Sequence, residues 1–188
     1  MNNSYLEDLI DRATLVPDQF QNAYGELTPK QFNWKPSSIN WSIGECLSHL
    51  VTTNKCYLPI INKVVEGNHK NSLMSKIPGL PGMWGKILLK MVSPEIKKKV
   101  KTLKAFQPDS SSIEISLLEE FCQLQQQLIE LMKQSDVVDH EKIIITSPAS
   151  RLITYSLKDT CNILIDHELR HFKQASAVMK EPAFPSSE

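Results

Sequence analysis

The sequence carries no net charge, with Lys plus Arg and Asp plus Glu at 21 each. A neutral chain sets up no global field, which argues against nucleic acid and strongly acidic partners and makes any electrostatic function local. No stretch approaches the roughly 18 consecutive apolar residues of a membrane-crossing helix, so no integral membrane segment is expected. The N-terminal MNNSYLEDLIDRATLVPDQF lacks a basic region leading into an apolar run, so it is not a signal peptide and a cytoplasmic location is expected. Cys46, Cys56, Cys122 and Cys161 lie far apart with no C-x-x-C pair. They read as free thiols within apolar helical patterns rather than as disulfides or ligands. Sustained strand alternation and internal repeats are missing too.

What is present is helical periodicity. At 188 residues with 41% hydrophobic content, the chain is expected to form one domain, 1–188, with its own packed core. Leu6, Leu9, Ile10, Ala13, Val16, Phe20 and Ala23 recur at three- and four-residue steps, predicting a first helix over about 5–27 that Pro17 should kink or divide. Residues 28–40 read as a connector, because Pro29 and Pro36 disfavour regular helix there. Ser42-Ile43-Gly44-Glu45 has capping-box spacing and should open a long second helix that Gly67 ends. Ser110 to Ser112 offer N-caps for a third helix over about 113–134. A short extended segment at 143–145 and a capping signal at Ser156 precede a fourth helix to about Lys180. The tail at 181–188 should fray. The fold class expected is therefore an all-α four-helix bundle, with a Gly/Pro-rich insertion between helices two and three at about 67–112. Within that insertion, Met83 to Val92 is apolar and amphipathic, and Lys86 to Lys104 holds seven lysines against Glu95. That segment reads as a solvated face, or else as a lid or a patch for an anionic ligand or membrane surface.

The fourth helix contains His167-Glu168-x-x-His171, which puts two imidazoles one turn apart on an apolar-bounded stripe with Leu164, Ala175 and Val178. Neutral imidazoles at that spacing can share one divalent ion, and zinc, nickel and iron all accept them. A zinc-protease helix would need a further ligand downstream; the extended motif requires Gly at position 174 and His at 177, where this chain has Gln174 and Ala177. A third ligand must then come from upstream. His69 and His140 lie in polar or charged connectors and should be exposed. His49 lies inside the amphipathic second helix, so His49, His167 and His171 would form a three-nitrogen site with open coordination positions, as a catalytic metal requires. Glu168, Asn54, Tyr57 and Gln174 are candidate supporting or proton-transfer groups.

Asn40-Trp41-Ser42-Ile43-Gly44-Glu45-x-x-x-His49-Leu50 and His167-Glu168-x-x-His171-x-x-Gln174 together resemble the two motifs of the DinB/YfiT-like superfamily, over about residues 5–179. The resemblance implies a four-helix bundle, a divalent metal on His49, His167 and His171, and a homodimer. It implies a thiol-dependent transferase, using a bacillithiol-like low-molecular-weight thiol, or a hydrolase, acting on a small-molecule substrate. The competing class is a non-catalytic metal-containing binding or stress-response protein.

Overall fold

The computed structural model describes residues 2–96, 102–108 and 110–186. Six helices account for most of it: α1 (Leu6–Tyr24), α2 (Pro29–Asn33), α3 (Ile43–Val65), α4 (Leu80–Val92), α5 (Leu117–Gln134) and α6 (Leu157–Met179). Two three-residue strands, β1 (Ile144–Thr146) and β2 (Thr154–Ser156), pair antiparallel with Ile145 opposite Tyr155. The long helices α1 and α3 each pack against both α5 and α6, so the expected all-α bundle is what forms. Its centre is apolar, with Phe20 4.7 Å from Phe121 and 5.2 Å from Phe172 between ring centroids.

Local chemistry explains the element boundaries, including those that differ from expectation. Pro17 sits inside an undivided α1. A proline has no N–H for the carbonyl four residues back, here Ala13, and that carbonyl instead accepts from Gln125 Nε2 on α5 at 3.3 Å. The connector at 28–40 does contain a helix: α2 places Pro29 at its first position, where no N–H is needed, and Thr28 and Gln31 form a reciprocal capping box. The Ser42 box is formed as read, with Glu45 N–H donating to Ser42 Oγ at 3.0 Å and Ser42 N–H to Glu45 Oε2 at 2.8 Å. Lys35 occupies the other Glu45 oxygen at 2.7 Å. At the far end of α3, Gly67 adopts φ +71°, a left-handed turn that suits glycine.

The third long helix starts four residues later than expected. Ile113 donates its N–H to Asn33 Oδ1 at 2.7 Å and accepts from Asn33 Nδ2 at 2.9 Å, so its backbone is committed to α2 before α5 begins. Ser156 closes β2 and caps α6 by accepting from Asp159 N–H at 3.0 Å. The tail does not fray through residue 186: Phe184 packs edge-on against Trp34 at 5.7 Å, and Gln31 Nε2 donates to the Pro185 carbonyl at 3.0 Å. In the insertion, α4 lies against α6 and β2. Of the seven lysines noted there, Lys97 to Lys99 and Lys101 lie outside the described residues. All four cysteines are free, with Cys46 and Cys161 buried.

His140 overturns its expected exposure. It is fully buried, its Nε2–H donates to the Ser135 carbonyl at 2.9 Å, and its Nδ1 accepts from the Tyr5 hydroxyl at 2.6 Å. A polar connector residue is buried here because both ring nitrogens find partners, which removes the penalty for taking them out of water. Half-buried His69 makes one bond, to the Ile144 carbonyl at 3.0 Å. His140→Ala should therefore cost about 2–4 kcal/mol of stability, because it empties a filled site and strands a hydroxyl and a carbonyl, whereas His69→Ala should cost under about 1 kcal/mol. Urea unfolding of the two variants would check the contrast, and equal losses would contradict it.

Candidate metal centre

The three histidines singled out from the sequence come together. Capping at Ser42 fixes the start of α3 and puts His49 in its second turn; capping at Ser156 does the same for α6, which carries His167 and His171. The rings meet edge to face with centroids 4.9 Å apart for His49 and His167, 4.7 Å for His49 and His171, and 4.6 Å for His167 and His171. One ligand nitrogen from each ring lies within 4.8 Å of the other two, a cluster that could hold a metal ion. His49 and His171 are buried and His167 is partly exposed.

Hydrogen bonding fixes one tautomer. His49 Nδ1 lies 2.6 Å from the Phe106 carbonyl, which can only accept, so the proton is on Nδ1 and Nε2 carries an acceptor lone pair. That Nε2 faces His167 Nε2 at 3.0 Å. A carbonyl on the far nitrogen is the usual means of orienting a metal-binding imidazole and raising its basicity. Trp41 covers the cluster, stacked 20° from parallel on His171 at 5.9 Å and 5.1 Å from His49.

All three rings are held in the neutral form that ligation requires. Burial lowers the His49 pKa, partly opposed by the Phe106 carbonyl. Burial again, followed by the charges of His171, His49 and Arg170, holds His167 well below its ordinary value. His171 is pushed down to about 3 by burial, His49 and Arg170, while Gln174 pulls the other way. His171 Nδ1 is buried with no protein hydrogen-bond partner. Neutral rings, a set tautomer and a buried nitrogen without a protein partner together fit a divalent ion.

Glu168 is in a different place chemically. It is fully buried, and its Oε1 accepts from Asn54 Nδ2 at 2.9 Å. Burial pushes its pKa up to about 8, against the opposing influence of Asn54 and Gln125. Its Oε2, Gln125 Oε1 and Asn54 Oδ1 are buried acceptors without a donor, a shortage that a proton on Glu168 reduces by letting the acid donate. Tyr57 pairs with the Tyr155 hydroxyl, and Gln174 is exposed beside His171. Two contributors escaped the sequence reading. The Phe106 carbonyl is backbone and carries no residue-type signal. Arg170 NH1 donates to the Ser93 and Ile96 carbonyls at 3.1 and 2.7 Å, fastening the end of α4 beside the two α6 histidines.

The family model described as the DinB superfamily matches residues 12–175, which include all three histidines and all four long helices except the ends of α1 and α6. The chain belongs to the DinB superfamily. Comparisons with curated proteins and with solved structures gave no match. In this DinB protein the three-histidine cluster follows from the pairing of α3 with α6, whereas Glu168 turns toward α3 and α5.

The pH behaviour of Glu168 follows from its raised value. Between its ordinary 4.5 and about 8, the folded metal-free chain keeps a proton that the unfolded chain has released. That contribution to stability is complete below the window and is lost as pH rises through about 8. Glu168→Gln, which keeps the acceptor for Asn54 and supplies a permanent donor, should flatten this loss. Glu168→Ala should instead lower stability by about 2–4 kcal/mol. Urea unfolding at about pH 6 and about pH 9 would test it, since linear extrapolation gives both stabilities; equal damage from both substitutions would refute a neutral Glu168.

Proposed function

We propose that this DinB protein is a divalent-metal-dependent enzyme whose ion is held by His49, His167 and His171, and that it acts on a small-molecule substrate as a low-molecular-weight-thiol S-transferase or as a hydrolase. The observation that carries this reading is the convergence of three neutral imidazoles on one point, one of them with its tautomer set by a carbonyl. A structural zinc site takes four protein ligands, whereas three leave a position for a reactant. When bound, such an ion supplies concentrated positive charge that acidifies a water or a small thiol toward neutral pH.

The chain's own residues have separable parts in this reading. His49, His167 and His171 contribute no charge, so the positive charge at the site stays undiminished. Phe106 holds His49 with its lone pair inward. Trp41 shields the rings of His49 and His171 from water. Arg170, fixed by two carbonyls, adds positive potential that keeps the histidines unprotonated and would favour an anionic reactant. Glu168 is not assigned as a general base, because its carboxyl is occupied by Asn54 and sequestered in the core. The reading extends to a cytoplasmic homodimer, with zinc, nickel and iron as candidate ions.

Elemental analysis of protein purified without nickel affinity media should find close to one equivalent of a divalent metal per chain. His49→Ala, His167→Ala and His171→Ala should each reduce affinity by at least about tenfold, the lower end of what losing even a supporting partner costs. Unchanged occupancy in all three variants would remove the site. Electrophile panels with and without small thiols would then test catalysis; ligand-induced stabilisation without turnover under any condition would make the protein a metal-containing binding module instead.

A further inference from the structure

The helix α4 has two apolar sides. Trp84, Leu88, Leu89 and Val92 pack inward on the core, and Gly85 is buried so close to Asp159 that an added Cβ would stand 2.2 Å from its carboxylate oxygen. The outward side is where polar residues are expected on a helix with one face already packed. Instead Met83, Ile87 and Met91, at successive four-residue steps, run along it and are 46%, 38% and 38% exposed. Exposed Ile77 precedes the stripe.

Charge accompanies this stripe. Lys86 and Lys90 are exposed on α4 itself, and Lys76 and Lys104 are exposed beyond its two ends. Among the described residues from 67 to 104 there are five lysines and a single acid, Glu95, and that acid is paired with Lys173 at 2.7 Å. Lys86 and Lys90 are therefore not neutralised from within their own segment.

The combination discriminates between partners. A second copy docking through the same face would bring two sets of lysines together, a like-charge juxtaposition that disfavours the pairing. A purely anionic polymer would use the lysines and leave the methionine and isoleucine stripe in water. An anionic bilayer uses both, taking apolar side chains at the acyl boundary and lysines at the headgroups. A helix of 13 residues is about 20 Å long, enough to lie flat on such a surface and too short to cross it.

We propose that α4 is a peripheral docking helix for anionic lipid membranes, inserting Met83, Ile87 and Met91 while Lys86 and Lys90 engage the headgroups. Because Arg170 fastens the residues after α4 to α6 beside His171, a docked α4 holds the three-histidine cluster close to the lipid surface. The proposal is independent of whether that cluster turns out to be catalytic.

The test is co-sedimentation of the full chain with vesicles of phosphatidylglycerol mixed with phosphatidylcholine, and of phosphatidylcholine alone, at low and high salt. Binding should require the anionic lipid and weaken with salt. Lys86→Glu with Lys90→Glu, and separately Met83→Ser with Ile87→Ser and Met91→Ser, should each weaken it at least about tenfold while circular dichroism stays unchanged. These are exposed positions, and the lysine pair serves as the reading that survives if the stripe variant misfolds. No sedimentation at low salt would overturn the proposal. So would equal binding to neutral vesicles, salt-sensitive binding untouched by loss of the stripe in a folded variant, or a concentration-dependent dimer that the stripe variant dissolves.

Discussion

Three imidazoles facing one another inside a helical bundle impose the constraint on which the rest of this structure is arranged. Lone pairs that point at a common centre repel unless something shares them, and burial removes water as the default partner. The neighbourhood answers with devices that hold the rings neutral and in place. A carbonyl fixes His49, an indole lies flat on His171, and a guanidinium nearby discourages protonation. Each device is contributed by a different stretch of chain: the segment before α3, the 3-10 turn at Lys104–Phe106, and α6 itself. The insertion between α3 and α5 is thus part of the site's construction. Removing it would take away the Phe106 carbonyl and leave both His49 nitrogens free to hold the proton.

A second polar structure crosses the core beside the first. It begins with Pro17, whose missing N–H frees the Ala13 carbonyl of α1. Gln125 of α5 answers that carbonyl and also lies beside Glu168 of α6, which in turn accepts from Asn54 of α3. One backbone defect in α1 therefore selects a side chain on α5, and four helices are tied through a single line of buried polar groups. Such a line is most favourable when its members are satisfied, and a neutral Glu168 supplies a donor that its buried acceptors lack. An ionised carboxylate there would add charge to a group of buried acceptors that already lack donors.

Much of this was legible in the sequence because the relevant signals are local. Capping at Ser42 and Ser156 needs only residues three apart, and the periodicity of α1, α3, α5 and α6 is visible within each helix. His49 could be chosen over His69 and His140 from its apolar neighbours alone. The same reasoning failed for His140, where the partner that makes burial tolerable, Tyr5, lies 135 residues away. It failed at Ile113 for a similar reason: Asn33 claims its backbone from 80 residues upstream. It failed at Pro29 by weighing the residue and not its position, since a proline costs nothing in a first turn. The docked tail depends on Trp34 meeting Phe184, a contact no window of sequence contains.

The histidine pair with its intervening glutamate shows how far a motif determines a site. Four residues on an α-helix return to nearly the same face, so His167 and His171 must point together whatever surrounds them. A single residue turns the helix by about 100°, so Glu168 is delivered to an adjoining face whose occupant the motif does not specify. On α3 the same arithmetic separates His49 from Asn54: five residues rotate the second by about 140° from the first. Two helices meeting with their histidines toward one centre therefore bring their polar neighbours together to one side of it, as the 2.9 Å bond between Asn54 and Glu168 records. The carboxylate that resembles a protease base is then better understood as a consequence of aligning the histidines. Its chemistry is set by the apolar core and by Asn54, and the cluster that could hold a metal ion is made by the three rings.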